Sequence, residues 1–166
     1  FSHVDEAEWQ HANLNQVLES TLNVVSGDLK YKARVVRNFG DLPAVRCIPA
    51  QLGQVFMNLL VNAGQAIEST GTITLRTGHA DGYAWIEIED TGNGIPPEVQ
   101  RRIFEPFFTT KPVGKGTGLG LSISWEIVQR HGGTISVDSE AGRGTCFRVR
   151  LPIAGPSLAG GKSSAP

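Results

Sequence analysis

The chain has 166 residues, a length that fits one domain, and 40% of its side chains are apolar, enough for a packed core. Its formal net charge is −1, so no basic field argues for binding nucleic acid or an anionic membrane surface. The longest apolar run, Phe56 to Val61, is interrupted by Asn58 and is far too short to span a bilayer.

Phe1 to Asn13 is polar and without a clear period, and Asp5, Glu6 and Glu8 fall where a signal peptide needs a basic and then an apolar stretch. Leu14, Val17, Leu18, Leu22, Val25 and Leu29 follow the helical period, so Leu14 to Leu29 is predicted as a helix, capped by Asn13 or Asn15. Ala33 to Phe39 is rich in β-branched and aromatic residues and reads as a strand ending at Gly40, and Pro43 to Pro49 reads as a connector. A second helix is predicted from about Ala50 to Glu68. Thr72 to Thr77 and Tyr83 to Asp90 alternate as two strands, with a turn over Gly78 to Gly82. Pro96 to Ile103 is predicted as a short helix, and Phe104 to Gly120 as a long irregular loop of the kind that is usually functional or disordered. Leu119 to His131 is predicted as a helix that buries Leu121, Ile123, Trp125, Ile127 and Val128, stopped by Gly132 and Gly133. Thr134 to Ser139 and Thr145 to Leu151 are two last strands around a Gly142-Arg143-Gly144 turn, and Ala154 to Pro166 is expected to be disordered. This order predicts an α+β two-layer sandwich, a mixed β-sheet with helices packed on one face.

The predicted helix over Ala50 to Glu68 carries two stripes. Leu52, Val55, Phe56, Leu59, Leu60, Ala63 and Ile67 form an apolar one, while Asn58, Asn62 and Gln65, at i, i+4 and i+7, form a polar one. Uncharged amides beside a core-facing stripe suit a hard cation and phosphate oxygens, and equally suit a partly buried helix with satisfied amides.

Two glycine-rich stretches flank element ends: Asp90-Thr-Gly-Asn-Gly-Ile95-Pro and Gly114-Lys-Gly-Thr-Gly-Leu-Gly120. Glycines let backbone approach a ligand closely, and N–H groups at a helix start attract phosphate. Neither stretch has the dinucleotide-binding spacing G-x-G-x-x-G, and the tail from Pro156 to Ser163 imitates a P-loop with Pro156 where the first glycine must stand. Strand parity aims Asp90 and Thr145 at the core side, a costly place for a carboxylate unless something donates to it or it caps the following turn. The two cysteines, Cys47 and Cys146, lack CxxC spacing and read as free thiols in a reducing compartment, and the four histidines have no metal-ligand spacing.

In order along the chain, Asn58-Leu-Leu-Val-Asn62-Ala, Asp90-Thr-Gly-Asn-Gly94, Ile103-Phe-Glu-Pro-Phe-Phe-Thr-Thr-Lys111, Gly116-Thr-Gly-Leu-Gly120 and Gly142-Arg-Gly-Thr145 resemble the N, G1, F and G2 boxes and the closing Gly-x-Gly-Thr motif of the ATP-binding catalytic domain of bacterial sensor histidine kinases. The resemblance runs from about Leu14 to Leu151 and implies the Bergerat-type ATP-binding fold shared with DNA gyrase B, Hsp90 and MutL. It also implies roles. Asp90 would accept the adenine amino group, with Thr145 supporting it and the purine directly or through water. Gly92, Gly94 and Ile95 would pass the adenine, and Asn62 would ligate Mg2+ with Asn58 assisting in catalysis. Gly116, Thr117, Gly118, Leu119 and Gly120 would cradle the phosphates, and Phe104 to Gly116 would form a lid whose Phe104, Phe107 and Phe108 anchor it or dock on a partner domain.

Two departures from the family pattern bear on mechanism. Gln65 stands where many of these kinases carry a basic residue aimed at the γ-phosphate, so Lys111 or Lys115 would have to supply the charge. Asn58 stands where water-activating relatives carry Glu, and an amide cannot act as a base, which favours transfer to a phosphoacceptor over hydrolysis. None of His3, His11, His79 and His131 has the context of the family's phosphoaccepting histidine. The expectation is therefore a cytoplasmic, monomeric catalytic domain over residues 14–153, preceded over 1–13 by the end of a helical dimerisation domain or a linker. It would bind Mg-ATP and donate phosphate to a histidine on that separate domain, serving a response regulator indirectly, without contact to membrane or nucleic acid. The alternatives are a hydrolysing ATPase of the same fold and a non-catalytic nucleotide-sensing or docking module.

Overall fold

The computed structural model describes residues 8–108 and 120–157. A short strand, β1 (Gln10–Ala12), is followed by two helices with two strands between them. The first, α1 (Leu14–Leu29), starts where the Asn13 side chain accepts from the backbone N–H groups of Asn15 and Gln16, offsetting two donors that a helix start leaves unpaired. Leu14, Leu18, Leu22, Val25 and Leu29 of the predicted stripe are buried, Val17 is half-buried, and Thr21 is buried beside them. Strands β2 (Ala33–Phe39) and β3 (Val45–Cys47) lead into α2 (Pro49–Ala66), where Pro49 occupies the first turn and needs no donor.

Next come β4 (Gly71–Ala80), β5 (Tyr83–Asp90), the single turn α3 (Pro97–Gln100), α4 (Gly120–Arg130), β6 (Thr134–Glu140) and β7 (Gly144–Pro152). Five strands form one sheet in the order β2-β4-β5-β7-β6, with β2 parallel to β4 and every other pair antiparallel. β1 and β3 make a separate antiparallel ribbon. The mixed sheet with its helices is the predicted α+β sandwich.

The core is the contact between these layers. Leu52, Val55, Phe56, Leu59, Leu60 and Ala63 of α2 share one buried cluster with Ile86 and Ile88 of β5 and Phe147 and Val149 of β7. Burying a side chain such as Phe56 stabilises the fold by about 1.5–3 kcal/mol. The opposite sheet face is solvated and carries Arg76, Glu87 and Arg148, where Glu87 accepts from both arginines at 3.0 and 2.8 Å. Such surface pairs, here partly buried at Glu87, contribute on the order of 1 kcal/mol or less each. Among the described residues no helix is long and apolar enough to cross a membrane.

The structure corrects several local expectations. The stretch from Gly78 to Gly82 is not all turn: β4 continues to Ala80, and only Asp81 and Gly82, both at positive φ, reverse the chain. Gly78 is a strand residue that leaves room for the Trp85 ring, which a Cβ there would strike. The connector from Pro43 to Pro49 contains β3, whose three residues are too few to show a period. The helix read over Pro96 to Ile103 spans only Pro97–Gln100.

On α4, Ile123 and Trp125 are exposed, at 42% and 41%, while Ser122 and Ser124 are buried. The helix turns its small polar face towards α2, because a hydrogen-bonding partner waits there. Of the segment expected to be disordered after Ile153, Gly155 is buried against Arg46, and residues 158–166 lie outside the described ones.

His131 ties the C-terminal end of α4 to the start of the domain. Its ring nitrogen Nδ1 lies 2.8 Å from the Ile127 carbonyl, and Nε2 accepts the Ile48 N–H at 3.1 Å. These partners require the neutral ring, with the proton on Nδ1. Trp9 packs on the imidazole at 4.8 Å between centroids, and the Arg46 guanidinium lies over Trp9. Burial first, then the neighbouring Arg130, holds the His131 pKa below its ordinary 6.5, against the Ile127 carbonyl, which raises it. Both folded and unfolded chains are neutral here above 6.5, and below it only the unfolded chain takes the proton at first. Stability is therefore lost as pH falls from 6.5, by up to about 1.4 kcal/mol per pH unit. Urea unfolding from pH 7 to pH 5 is expected to show that slope in the wild type and to lose it in His131→Gln.

Candidate functional site

Asp90 is the last residue of β5, opposite Ile73 of β4 on one side and Thr145 of β7 on the other. Alternation along β5 buries Ala84, Ile86, Ile88 and, by the same parity, Asp90, which is 3% exposed. Its Oδ1 accepts the Gly92 N–H at 2.8 Å, so the carboxylate caps the turn that follows it and is buried as well. Burial is the main cause that pushes its pKa above the usual 3.8, and the Gly92 and Thr145 backbone N–H groups pull against that shift. Among the described residues, the groups that offset its burial are backbone donors, and none is a Lys or Arg. A carboxylate in this state has acceptor capacity left for a ligand's N–H.

The residues around Asp90 are held by backbone contacts that bring two turns together. The Asn93 N–H donates to the Ala66 carbonyl at the end of α2, and the Gly142 N–H donates to the Asn93 carbonyl at 2.6 Å. Gly94 adopts φ 76 where a side chain would strike the Glu140 carbonyl. Thr145 is 4% exposed, and its Oγ1 lies 2.7 Å from Ser139 Oγ, which also accepts the Ile95 N–H at 2.8 Å. Asp90, Gly92, Gly94 and Ile95, from one turn, and Thr145, fifty residues on, thus stand around one end of the sheet.

The amide stripe of α2 divides into three situations. Gln65 is exposed and Asn62 is half-buried. Asn58 is fully engaged: its Nδ2 donates to the Gly120 carbonyl at 2.9 Å and lies 3.1 Å from Ser124 Oγ, while its Oδ1 accepts from Gln54 Nε2 at 2.9 Å. Asn58 therefore pins the first turn of α4 to α2. Asn58→Leu removes one of two side-chain donors from the Gly120 carbonyl, which keeps the Ser124 hydroxyl at 2.9 Å, and urea unfolding is expected to show a loss of about 0.5–1.5 kcal/mol. Lys111, Lys115, Gly116, Thr117, Gly118 and Leu119 lie outside the described residues. The F-box rings separate: Phe104 is half-buried, edge-on to Phe147, Phe108 lies under the Arg102 guanidinium, and Phe107 is 72% exposed at φ 67.

Sequence reasoning missed Gln54, Gln100, Ser124 and Ser139. Ser139 was within reach, since Ile135, Val137 and Ser139 share one parity on β6 and so point to one face. Among the described residues no three His, Cys, Asp or Glu side chains come together as a metal cage.

Residues 47–155 match the model of the histidine kinase-, DNA gyrase B- and HSP90-like ATPases, and the chain belongs to that family. Within it, this is an ATP-binding catalytic domain of the sensor histidine kinase type. It is 49% identical over 127 residues to the sensor kinase CckA of Brucella abortus (strain 2308), across 68% of this chain and 13% of that protein. It is 38% identical over 156 residues to the histidine-protein kinase AtoS of Escherichia coli (strain K12), across 92% of this chain and 25% of that one. The chain thus spans a quarter or less of the length of these two relatives. The solved catalytic domain of the histidine kinase ThkA superposes with a TM-score of 0.80 at 29% identity, across 89% of this chain and 97% of that one.

Proposed function

We propose that this domain binds Mg-ATP and presents the γ-phosphate to a histidine on a separate dimerisation and phosphoacceptor domain of its parent kinase, which then serves a response regulator. The observation that carries the reading is Asp90, a carboxylate buried to 3% exposure and held, among the described residues, by backbone donors beside a glycine turn. It is fitted to accept the adenine amino group, with Thr145 beside it and Gly92, Gly94 and Ile95 along the base. A guanine carbonyl in the same place would face an acceptor, so the site selects against it.

On the phosphate side, Asn62 is the described residue that would ligate Mg2+, which keeps several waters and phosphate oxygens in its shell and so needs few protein ligands. Gly120 at the start of α4, with Gly116, Thr117, Gly118 and Leu119 before it, would hold the phosphates with backbone N–H groups. Gln65 carries no charge, so Lys111 or Lys115 would supply the cationic contact. When bound, ATP supplies the phosphoryl group and Mg2+ neutralises its oxygens. The chain's part is positioning and charge complementarity.

Asn58 bears on the choice between transfer and hydrolysis. An amide is no base, and both ends of this one are engaged with Gly120, Ser124 and Gln54. That supports transfer over activation of water. The exposed Phe107 ring is the part of the F box suited to dock on the phosphoacceptor domain. A cytoplasmic location, a monomeric state of the isolated domain and a boundary near residue 14 belong to the same proposal.

Calorimetric titration of ADP and a non-hydrolysable ATP analogue, with and without Mg2+, tests it. Binding in the roughly micromolar range, strengthened by Mg2+, is expected. Phosphotransfer to the histidine domain of the parent kinase is the second stage. No detectable binding by the wild type would remove the reading.

A further inference from the structure

Ser139 sits behind the Asp90 site and touches three of the segments that build it. Its Oγ accepts the Ile95 N–H at 2.8 Å, lies 3.0 Å from the Gly144 carbonyl and lies 2.7 Å from Thr145 Oγ1. Its own backbone is held too. Gln100 Nε2 donates to the Ser139 carbonyl at 3.0 Å and to the Ile95 carbonyl at 2.7 Å. Both polar backbone groups of Ile95 are thereby fixed by β6 and α3.

A hydroxyl has one proton and two acceptor sites. The Gly144 carbonyl can only accept and the Ile95 N–H can only donate. All three contacts of Ser139 are satisfied together in one arrangement: Ser139 donates to Gly144, accepts from Ile95 and accepts the proton of Thr145. That arrangement uses up the Thr145 proton. Thr145 then offers lone pairs, and no O–H, to the site it shares with Asp90, whose carboxylate is also an acceptor.

We infer that Ser139 is a specificity-determining residue: by taking the Thr145 proton, it makes the Asp90–Thr145 pair a double acceptor that fits a ligand amino group and rejects a carbonyl in its place. The inference deepens the proposed nucleotide reading and rests on it. What it adds is that a side chain with no place in the family motifs quoted above decides the polarity of Thr145.

The test compares ADP with inosine diphosphate, which carries a carbonyl where adenine has its amino group. Calorimetry on the full 166-residue chain would cover the wild type, Ser139→Ala, Thr145→Val, the double variant and Gln100→Leu. In Ser139→Ala the Thr145 O–H is released and can donate to the inosine carbonyl. The preference for ADP over inosine diphosphate is expected to fall by about fivefold to tenfold, the worth of one hydrogen bond changing sign. In the Thr145→Val background the same Ser139→Ala change should leave the preference unmoved, because no hydroxyl remains to turn.

Gln100→Leu loosens Ile95 and the Ser139 backbone while leaving both hydroxyls in place, so it should weaken both nucleotides alike. An unchanged preference in Ser139→Ala overturns the inference, as does an equal shift in Gln100→Leu, which would make Ser139 merely part of the scaffold. A wild type that binds ADP no better than inosine diphosphate fails the adenine reading itself, and that result is separate from either.

Discussion

Asp90→Asn is expected to weaken ADP binding by about 10- to 100-fold, the loss of a hydrogen bond to a charged acceptor. The same substitution should leave the melting temperature of the nucleotide-free domain within about 2–4 °C of the wild type. The two halves of this expectation have one cause. Burial raises the Asp90 pKa above 3.8, so the folded chain holds its proton more tightly than the unfolded chain does. A group of that kind favours folding below 3.8 and loses the contribution as pH rises through its folded value, so at neutral pH the ionised carboxylate is a cost to the empty fold.

A neutral amide removes that cost. It keeps an oxygen for the Gly92 N–H but places an NH2 group where the Thr145 N–H found an acceptor. The gain and the loss oppose each other in the empty domain. In the complex there is only a loss, because the ligand amino group then meets a donor. Calorimetry and differential scanning on the same samples separate the two. A melting temperature that collapses together with binding would assign Asp90 a structural role instead.

Gly144→Ala is expected to destabilise the domain by about 3 kcal/mol and to lower its melting temperature by about 6–12 °C. Gly144 lies at φ 138, a conformation that side chains rarely adopt, and its added Cβ would fall inside the Asp90 carbonyl oxygen. Gly144 opens β7 at the point where that strand pairs with β5 through Thr145 and Asp90. Moving β7 away from β5 relieves the clash, and that displaces Thr145 from Asp90. Nucleotide binding should therefore fall with stability in this variant, whereas Asp90→Asn separates them. Scanning calorimetry with ADP titration checks both, and an unshifted melting temperature would show that the turn yields without moving the strand.

The elements that the sequence made legible are those in which a side-chain period runs long enough to be read. The stripe from Leu14 to Leu29, the double stripe on α2 and the alternation from Tyr83 to Asp90 all reappear as burial. Parity along β5 and β7 was enough to turn Asp90 and Thr145 inward. The misreadings have local reasons. β1 and β3 have three residues each and are held by pairing with each other and by the Arg46 N–H on the Ile153 carbonyl. Gly78 was read as a turn residue because the ring that needs its space, that of Trp85, is on the next strand. On α4, hydropathy put Ile123 and Trp125 inside, yet the helix turned Ser124 in to meet Asn58.

By itself the sequence determined the sandwich, through its periods, and the chemistry on offer, through its order of motifs: one inward carboxylate, one inward hydroxyl, a stripe of amides and glycines where backbone must come close. Only the tertiary structure decided which of those groups are already engaged. Asn58 is occupied by Gly120 and Ser124, Thr145 is occupied by Ser139, and His131 is locked between Ile127 and Ile48. Hydrogen bonds between side chains far apart in sequence leave no period to read. They depend on the sheet register and on how the helices lie over it, and these are settled when the layers pack.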